Sequence, residues 1–135
     1  MPARVTVREN GFPTQVITIG PHALTADEPA PVGQDTGPTP VDLLLAALGA
    51  CTSMTVRMYA KRHGWSLTAV EVDVRLDRTQ SPRGRIVKDV RLYGELEPEH
   101  ITRLNAVADA CPVHRILSDP LPITSQTVLA SPVTA

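Results

Sequence analysis

From Val70 to Asp77 apolar and charged residues alternate without a break, Val70-Glu71-Val72-Asp73-Val74-Arg75-Leu76-Asp77. A period of two predicts a strand with one face buried. Ser81-Pro82-Arg83-Gly84 carries turn chemistry, and the return segment from about Ile86 to Leu96 sets Val90 and Leu92 on one face. Near the start, Ala3-Arg4-Val5-Thr6-Val7 and Gln15-Val16-Ile17-Thr18-Ile19 flank Asn10-Gly11, which predicts a hairpin. Pro13 cannot donate to a ladder, so the second strand starts after it or lies at an edge. Pro29, Pro31, Gly33, Gly37, Pro38 and Pro40 mark a loop inside the domain, and a last strand is expected around Ile123 to Leu129.

Two segments carry helical patterns instead. Thr39 suits an N-cap, Pro40 the first helical position, and Asp42 the first turn, where free amides and the helix dipole favour a carboxylate. The helix is expected to run to about His63, with Gly64 as its stop. Its first half, Leu43 to Cys51, has no charge on any face and therefore asks to be buried all round. Ala46, Ala47, Gly49 and Ala50 would let another helix approach closely, and one small domain struggles to surround such an element, which points to a partner subunit. A second helix opens at Pro98, with Ile101, Leu104, Ala108 and Cys111 on one stripe, and Pro112 ends or kinks it. The order ββ(β)–α–ββ–α–β is an α+β arrangement in a single domain over residues 1–135, without the repeating βαβ of a nucleotide-binding sheet.

Composition narrows the function. At 135 residues and 42 % hydrophobic, the chain can build one core and is not disordered. Thirteen Lys+Arg against fourteen Asp+Glu leave no basic surplus, which argues against a nucleic-acid binder. No uninterrupted apolar run approaches the roughly 18 residues of a membrane span, and Met-Pro-Ala-Arg-Val lacks a signal-peptide core. A cytoplasmic protein is expected, and there two cysteines sixty residues apart are more often catalytic than a structural staple.

Both cysteines fall on apolar helical faces, where an ordinary reading makes each a small buried hydrophobe. Packing the two stripes together could bring the sulfurs near each other. Cys111 is followed by Pro112-Val113-His114-Arg115, the electropositive company that lowers a thiol pKa. Cys51 has no such help. No Lys or Arg lies between Glu9 and Val56, so on its N-terminal side only Arg4 and Arg8 can serve. Asp42 lies nine residues earlier, on the opposite face and about 13 Å along the axis, so a Cys51 near it would belong to another chain. Cys111 and His114 have ligand-like spacing, but no second close pair completes a zinc set, and no hydrolase motif surrounds either cysteine.

The run Gly37-Pro38-Thr39-Pro40-Val41-Asp42-Leu43-Leu44-Leu45-Ala46-Ala47-Leu48-Gly49-Ala50-Cys51-Thr52-Ser53-Met54-Thr55, with Cys111-Pro112-Val113-His114 sixty residues later, resembles the OsmC/Ohr family, and its OsmC-like branch in particular. The resemblance covers nearly the whole chain. It implies an intertwined homodimer with antiparallel sheets around two central cysteine-bearing helices. It further implies thiol peroxidase chemistry without a metal or organic cofactor. Cys51 would be the peroxidatic cysteine that becomes a sulfenic acid, and Cys111 the resolving cysteine that forms a disulfide reopened by a dithiol or thiol reductant. Arg8, expected at the turn of the first hairpin, matches the arginine that the family places there to stabilise its thiolate. Asp42 stands near the place of the family's glutamate, one methylene shorter and shifted by one residue. His114 replaces a small hydroxyl or other polar residue.

Two functions follow from these residues. One is a homodimeric two-cysteine peroxidase acting on organic hydroperoxides. The other is a non-enzymatic dimeric stress protein that holds a small apolar ligand, with redox-sensitive cysteines.

Overall fold

The computed structural model describes residues 4–131. Three antiparallel strands open the chain: β1 (Thr6–Glu9), β2 (Gln15–Ile19) and β3 (His22–Ala26), in the order β1-β2-β3. The expected hairpin forms, with Arg8 opposite Val16 and Glu9 opposite Gln15, although Ala3 lies outside the described residues. Gly11, at φ 73, makes the turn, and Gly20 leads directly into the third strand. This small sheet has at most marginal contact with the helices and strands that follow.

The loop from Asp27 to Pro38 is held from within. Asp27 is 2 % exposed, and its carboxylate accepts from the amides of Glu28 (2.7 Å), Gln34 (3.4 Å) and Thr36 (3.1 Å) and from the Thr36 hydroxyl (2.6 Å). The Thr36 hydroxyl and these amides lower its pKa to about 2. Gly37 has no room for a side chain, because a Cβ there would sit 2.4 Å from the Thr25 carbonyl oxygen.

Helix α1 (Pro40–Arg62) starts as expected. Thr39 accepts from the Asp42 amide at 3.1 Å, and the Asp42 carboxylate accepts from the Thr39 amide at 3.1 Å, a reciprocal cap. Gly64, at φ 68, ends it. At 23 residues, α1 is long and apolar enough to cross a membrane by length and composition alone, although no uninterrupted apolar run in the sequence approaches that length. It is the central helix of the fold, with the stripe Leu48, Thr52, Val56 and Ala60 buried against the rest of the chain.

Its first half is not buried all round in the isolated chain, since Leu44 is 45 % exposed. Within the chain, Gly49 packs against a strand, while Ala46, Ala47 and Ala50 remain exposed. A Cβ on Gly49 would meet Val74 at 3.2 Å, and Ala46, Gly49 and Ala50 line a groove against Val72, Asp73 and Val74.

Strands β4 (Ser66–Asp77) and β5 (Arg85–Glu95) form a long antiparallel ribbon. On its exposed face Arg91 pairs with Glu71 at 2.9 Å and with Asp73 at 2.7 Å. On its inner face Leu67, Val70, Val90 and Leu92 meet α1 and α2 (Pro98–Ala108) in a core built from Val56, Ala60, Leu104 and Ala108. Stacking of Trp65 on His100, with centroids 4.2 Å apart, closes one end of that core.

Two expectations for the C-terminal part do not hold. Helix α2 stops at Ala108, and the chain restarts as α3 (Pro112–Ser118). Pro112 lacks an amide hydrogen and clashes with a preceding helical turn, but its fixed φ suits a first helical position. Cys111 therefore precedes α3 as its N-cap and does not extend the α2 stripe, while Ile101 is 48 % exposed. The strand expected at Ile123 to Leu129 is absent: the segment has no regular secondary structure, and Ile123 is 89 % exposed. β-branched residues make a strand only where a neighbour completes the ladder, and among the described residues this segment pairs with none.

Candidate functional site: two neighbouring thiols beside a buried lysine

Thr52 is the fully buried member of the α1 stripe, and it turns inward because it is four residues from both Leu48 and Val56. Its hydroxyl lies 3.5 Å from Cys111 Sγ. Cys111 is also fully buried and accepts from the His114 amide at 3.4 Å, as the N-cap geometry of α3 requires. Cys51, next to Thr52 and half-buried, lies near Cys111 and helps to lower its pKa. The structure thus brings the two cysteines together, although through an N-cap and not through two apolar stripes.

The charge at this site comes from β5. Ile86, Lys88, Val90 and Leu92 share the inner face of that strand, and Lys88 is the one cation among them. Its side chain is 7 % exposed. Nζ donates to Thr52 Oγ1 at 3.0 Å and to the Ala108 carbonyl at 2.8 Å, and lies 2.9 Å from His114 Nδ1. Asp109, at 3.9 Å, is the nearest carboxylate and is itself exposed.

An ammonium has three hydrogens and no acceptor, so all three contacts are donations. Two consequences follow. His114 Nδ1 accepts, which puts the imidazole proton on Nε2. Thr52 Oγ1 accepts from Lys88, which leaves its own hydrogen for Cys111 Sγ. Burial pushes the Cys111 thiol up, but the Thr52 hydroxyl, the His114 amide, Cys51 and the Lys88 charge outweigh it and hold its pKa below the ordinary thiol value.

The other expected site residues stand apart. Asp42 caps α1 and lines the groove against β4. Arg8 lies within β1 rather than in the turn, is exposed, and among the described residues has no hydrogen bond or ion pair with Asp42 or either cysteine. Among the described residues no group of three or more His, Cys, Asp or Glu is placed to hold a metal ion.

The sequence reading missed Thr52 and Lys88. The available signal was a lysine two residues before Val90 on the apolar face of an alternating strand, where a charge needs a buried partner. Next to Lys88 and His114 opens a cleft of about 380 Å³ lined by Arg83, Arg85, Leu48, Ile86 and Leu117.

Fold and site define an α+β protein with one long helix on an antiparallel ribbon and two neighbouring thiols, one buried and one half-buried. Residues 33–126 match the family described as OsmC-like protein, and the chain belongs to that family. An OsmC-like protein from Mycoplasma pneumoniae has the same fold, with a TM-score of 0.76 at 20 % identity over 87 % of this chain and 88 % of that one. OhrB, the organic hydroperoxide resistance protein of Bacillus subtilis, matches at 0.56 and 25 % identity over 85 % and 89 %. An organic hydroperoxide resistance protein OsmC from Legionella pneumophila matches at 0.61 and 19 % over 87 % and 89 %. No curated protein matches the sequence.

Proposed function

We propose that the protein is a homodimeric thiol peroxidase that reduces organic hydroperoxides in the cytoplasm with its own two cysteines. The observation that carries this reading is that Cys51 and Cys111 lie near each other at a buried polar site. Membership of a family with solved relatives named organic hydroperoxide resistance proteins supports it.

In the cycle, Cys51 as thiolate attacks a hydroperoxide oxygen, and the O–O bond breaks. Cys51 becomes a sulfenic acid, and the alkoxide leaves as the alcohol after taking up a proton. Cys111 then attacks the Cys51 sulfur, and hydroxide departs as water. The resulting disulfide is reduced by a dithiol or two thiols, which are oxidised in turn. Sulfur carries the two electrons throughout, so the reaction calls on no cofactor.

The dimer is supported by surface area. The isolated chain exposes 10596 Å², whereas a compact monomer of 14.5 kDa exposes roughly 6,900 Å². Met54 and Met58, 65 % and 60 % exposed on α1, and the solitary β1–β3 sheet are surfaces that a second copy would cover. That sheet carries Arg8, so in this reading the cation for Cys51, together with Asp42, is contributed across the dimer.

The test is hydroperoxide consumption with a dithiol for wild type, Cys51→Ser and Cys111→Ser. Loss of turnover in Cys51→Ser is expected, and wild-type turnover in that variant rejects the reading.

A further inference from the structure

Lys88 has no part in the cycle above, yet it is the most deeply buried cation of the thiol site, and all of its hydrogens are committed there. A buried ammonium is costly unless something nearby carries a compensating charge. Asp109 is 61 % exposed and 3.9 Å away, too far and too wet to compensate it fully. The remaining group able to carry a negative charge on this network is Cys111, one hydrogen bond beyond Thr52. The titratable groups facing that sulfur are Cys51 from α1, Lys88 from β5, Asp109 from the end of α2 and His114 from α3, with Arg83 and Arg85 in the adjoining cleft.

We propose that Lys88 is a positioning residue that, through Thr52, stabilises Cys111 as a thiolate and so directs an external thiol onto Cys51. The direction of reduction rests on the disulfide of the proposed cycle; the ionisation of Cys111 does not. The lowered pKa of Cys111 agrees with this assignment. In thiol–disulfide exchange the sulfur with the lower pKa leaves faster. An incoming thiolate uses its lone pair to form a bond to Cys51 Sγ. The electron pair of the Cys51–Cys111 bond departs with Cys111 Sγ, where the Thr52 hydroxyl and the Lys88 charge receive it. A second thiol then attacks the bound one, takes it off as an external disulfide, and frees Cys51. Two thiols are oxidised and one protein disulfide is reduced.

The first experiment needs neither hydroperoxide nor disulfide. The ultraviolet absorbance of the thiolate is followed against pH in Cys51→Ser, where Cys111 is the remaining thiol. Its midpoint should lie below the ordinary value of about 8.5. Adding Lys88→Met should raise it by about one unit, a tenfold fall in thiolate at a pH below both midpoints, and Lys88→Arg should restore most of it. Should Lys88→Met fail to fold, Thr52→Val keeps the lysine, cuts the relay, and should raise the midpoint too. A midpoint at or above the ordinary value, or one that neither change moves, overturns the assignment.

In the second experiment, wild type oxidised with diamide receives one equivalent of β-mercaptoethanol and is quenched in acid. Peptide masses should place the adduct on Cys51, and an adduct mainly on Cys111 overturns the direction of attack. If diamide yields no intramolecular disulfide, the Cys51–Cys111 pairing of the cycle is rejected, while the titration still decides the role of Lys88.

Discussion

Thr52 Oγ1 and Cys111 Sγ stand 3.5 Å apart, although 59 residues of chain separate them. Thr52 is therefore the joint between the long helix and the second thiol, and it also accepts from Lys88 at 3.0 Å. Thr52→Val keeps the shape but leaves a buried ammonium hydrogen without its acceptor. Loss of about 1–3 kcal/mol in urea unfolding is expected, the usual cost of an unsatisfied buried donor. Thr52→Ser retains the hydroxyl and should lose less. Equal stability of Thr52→Val and wild type would show that water replaces the hydroxyl.

Asp27 gives the fold an acid limit. Its pKa is lowered to about 2, chiefly by the Thr36 hydroxyl, whereas an unfolded aspartate titrates near roughly 3.9. A group with a depressed folded pKa stabilises above its unfolded value, and the benefit disappears as pH falls toward about 2. The melting temperature of Asp27→Asn should lie below that of wild type at neutral pH, and the gap should narrow steadily between pH 4 and pH 2. A gap independent of pH would mean that the carboxylate charge is not what organises the loop.

Gly94 sits at φ 133 at the bulged end of the β4–β5 ribbon, and a Cβ there would come within 2.0 Å of the Ser66 carbonyl oxygen. Backbone, not a flexible side chain, is in the way. Gly94→Ala should destabilise by roughly 2 kcal/mol or more in denaturant unfolding. Gly49→Ala meets only a Val74 methyl at 3.2 Å and should cost much less. The order of the two midpoints is the check.

The excess surface of the isolated chain leads to an expected particle of twice 14.5 kDa in sedimentation equilibrium. Replacing Met54 and Met58 together with Glu puts two charges on that exposed helical face and should shift the equilibrium to monomer. A wild-type monomer at micromolar concentration would remove the partner-supplied Arg8 from the proposed cycle.

In the same cycle Arg8→Ala should lower hydroperoxide turnover about tenfold to a hundredfold. It should leave the Cys111 titration unmoved, because Lys88 and not Arg8 lies in the Cys111 network. A change in that titration would place Arg8 on the wrong thiol.

Local pattern alone determined most of the framework. The alternation from Val70 to Asp77 has one interpretation as a strand, and Thr39-Pro40-Val41-Asp42 states a helix start in residues that satisfy their own orphan groups. The two cysteines were legible as a pair because each lies in apolar surroundings with distinctive neighbours. Other features were decided only in three dimensions. The break at Cys111 depends on where α2 packs, since a proline can end a helix or begin one. The Ile123–Leu129 segment shows that strand propensity without an edge to pair with makes no strand. The charge at the thiols depended on tertiary structure most of all. Lys88 is 36 residues from Thr52 and 26 from His114, and no local spacing connects them. Burial fixes their partners, because an ammonium taken out of water must find acceptors wherever the fold supplies them.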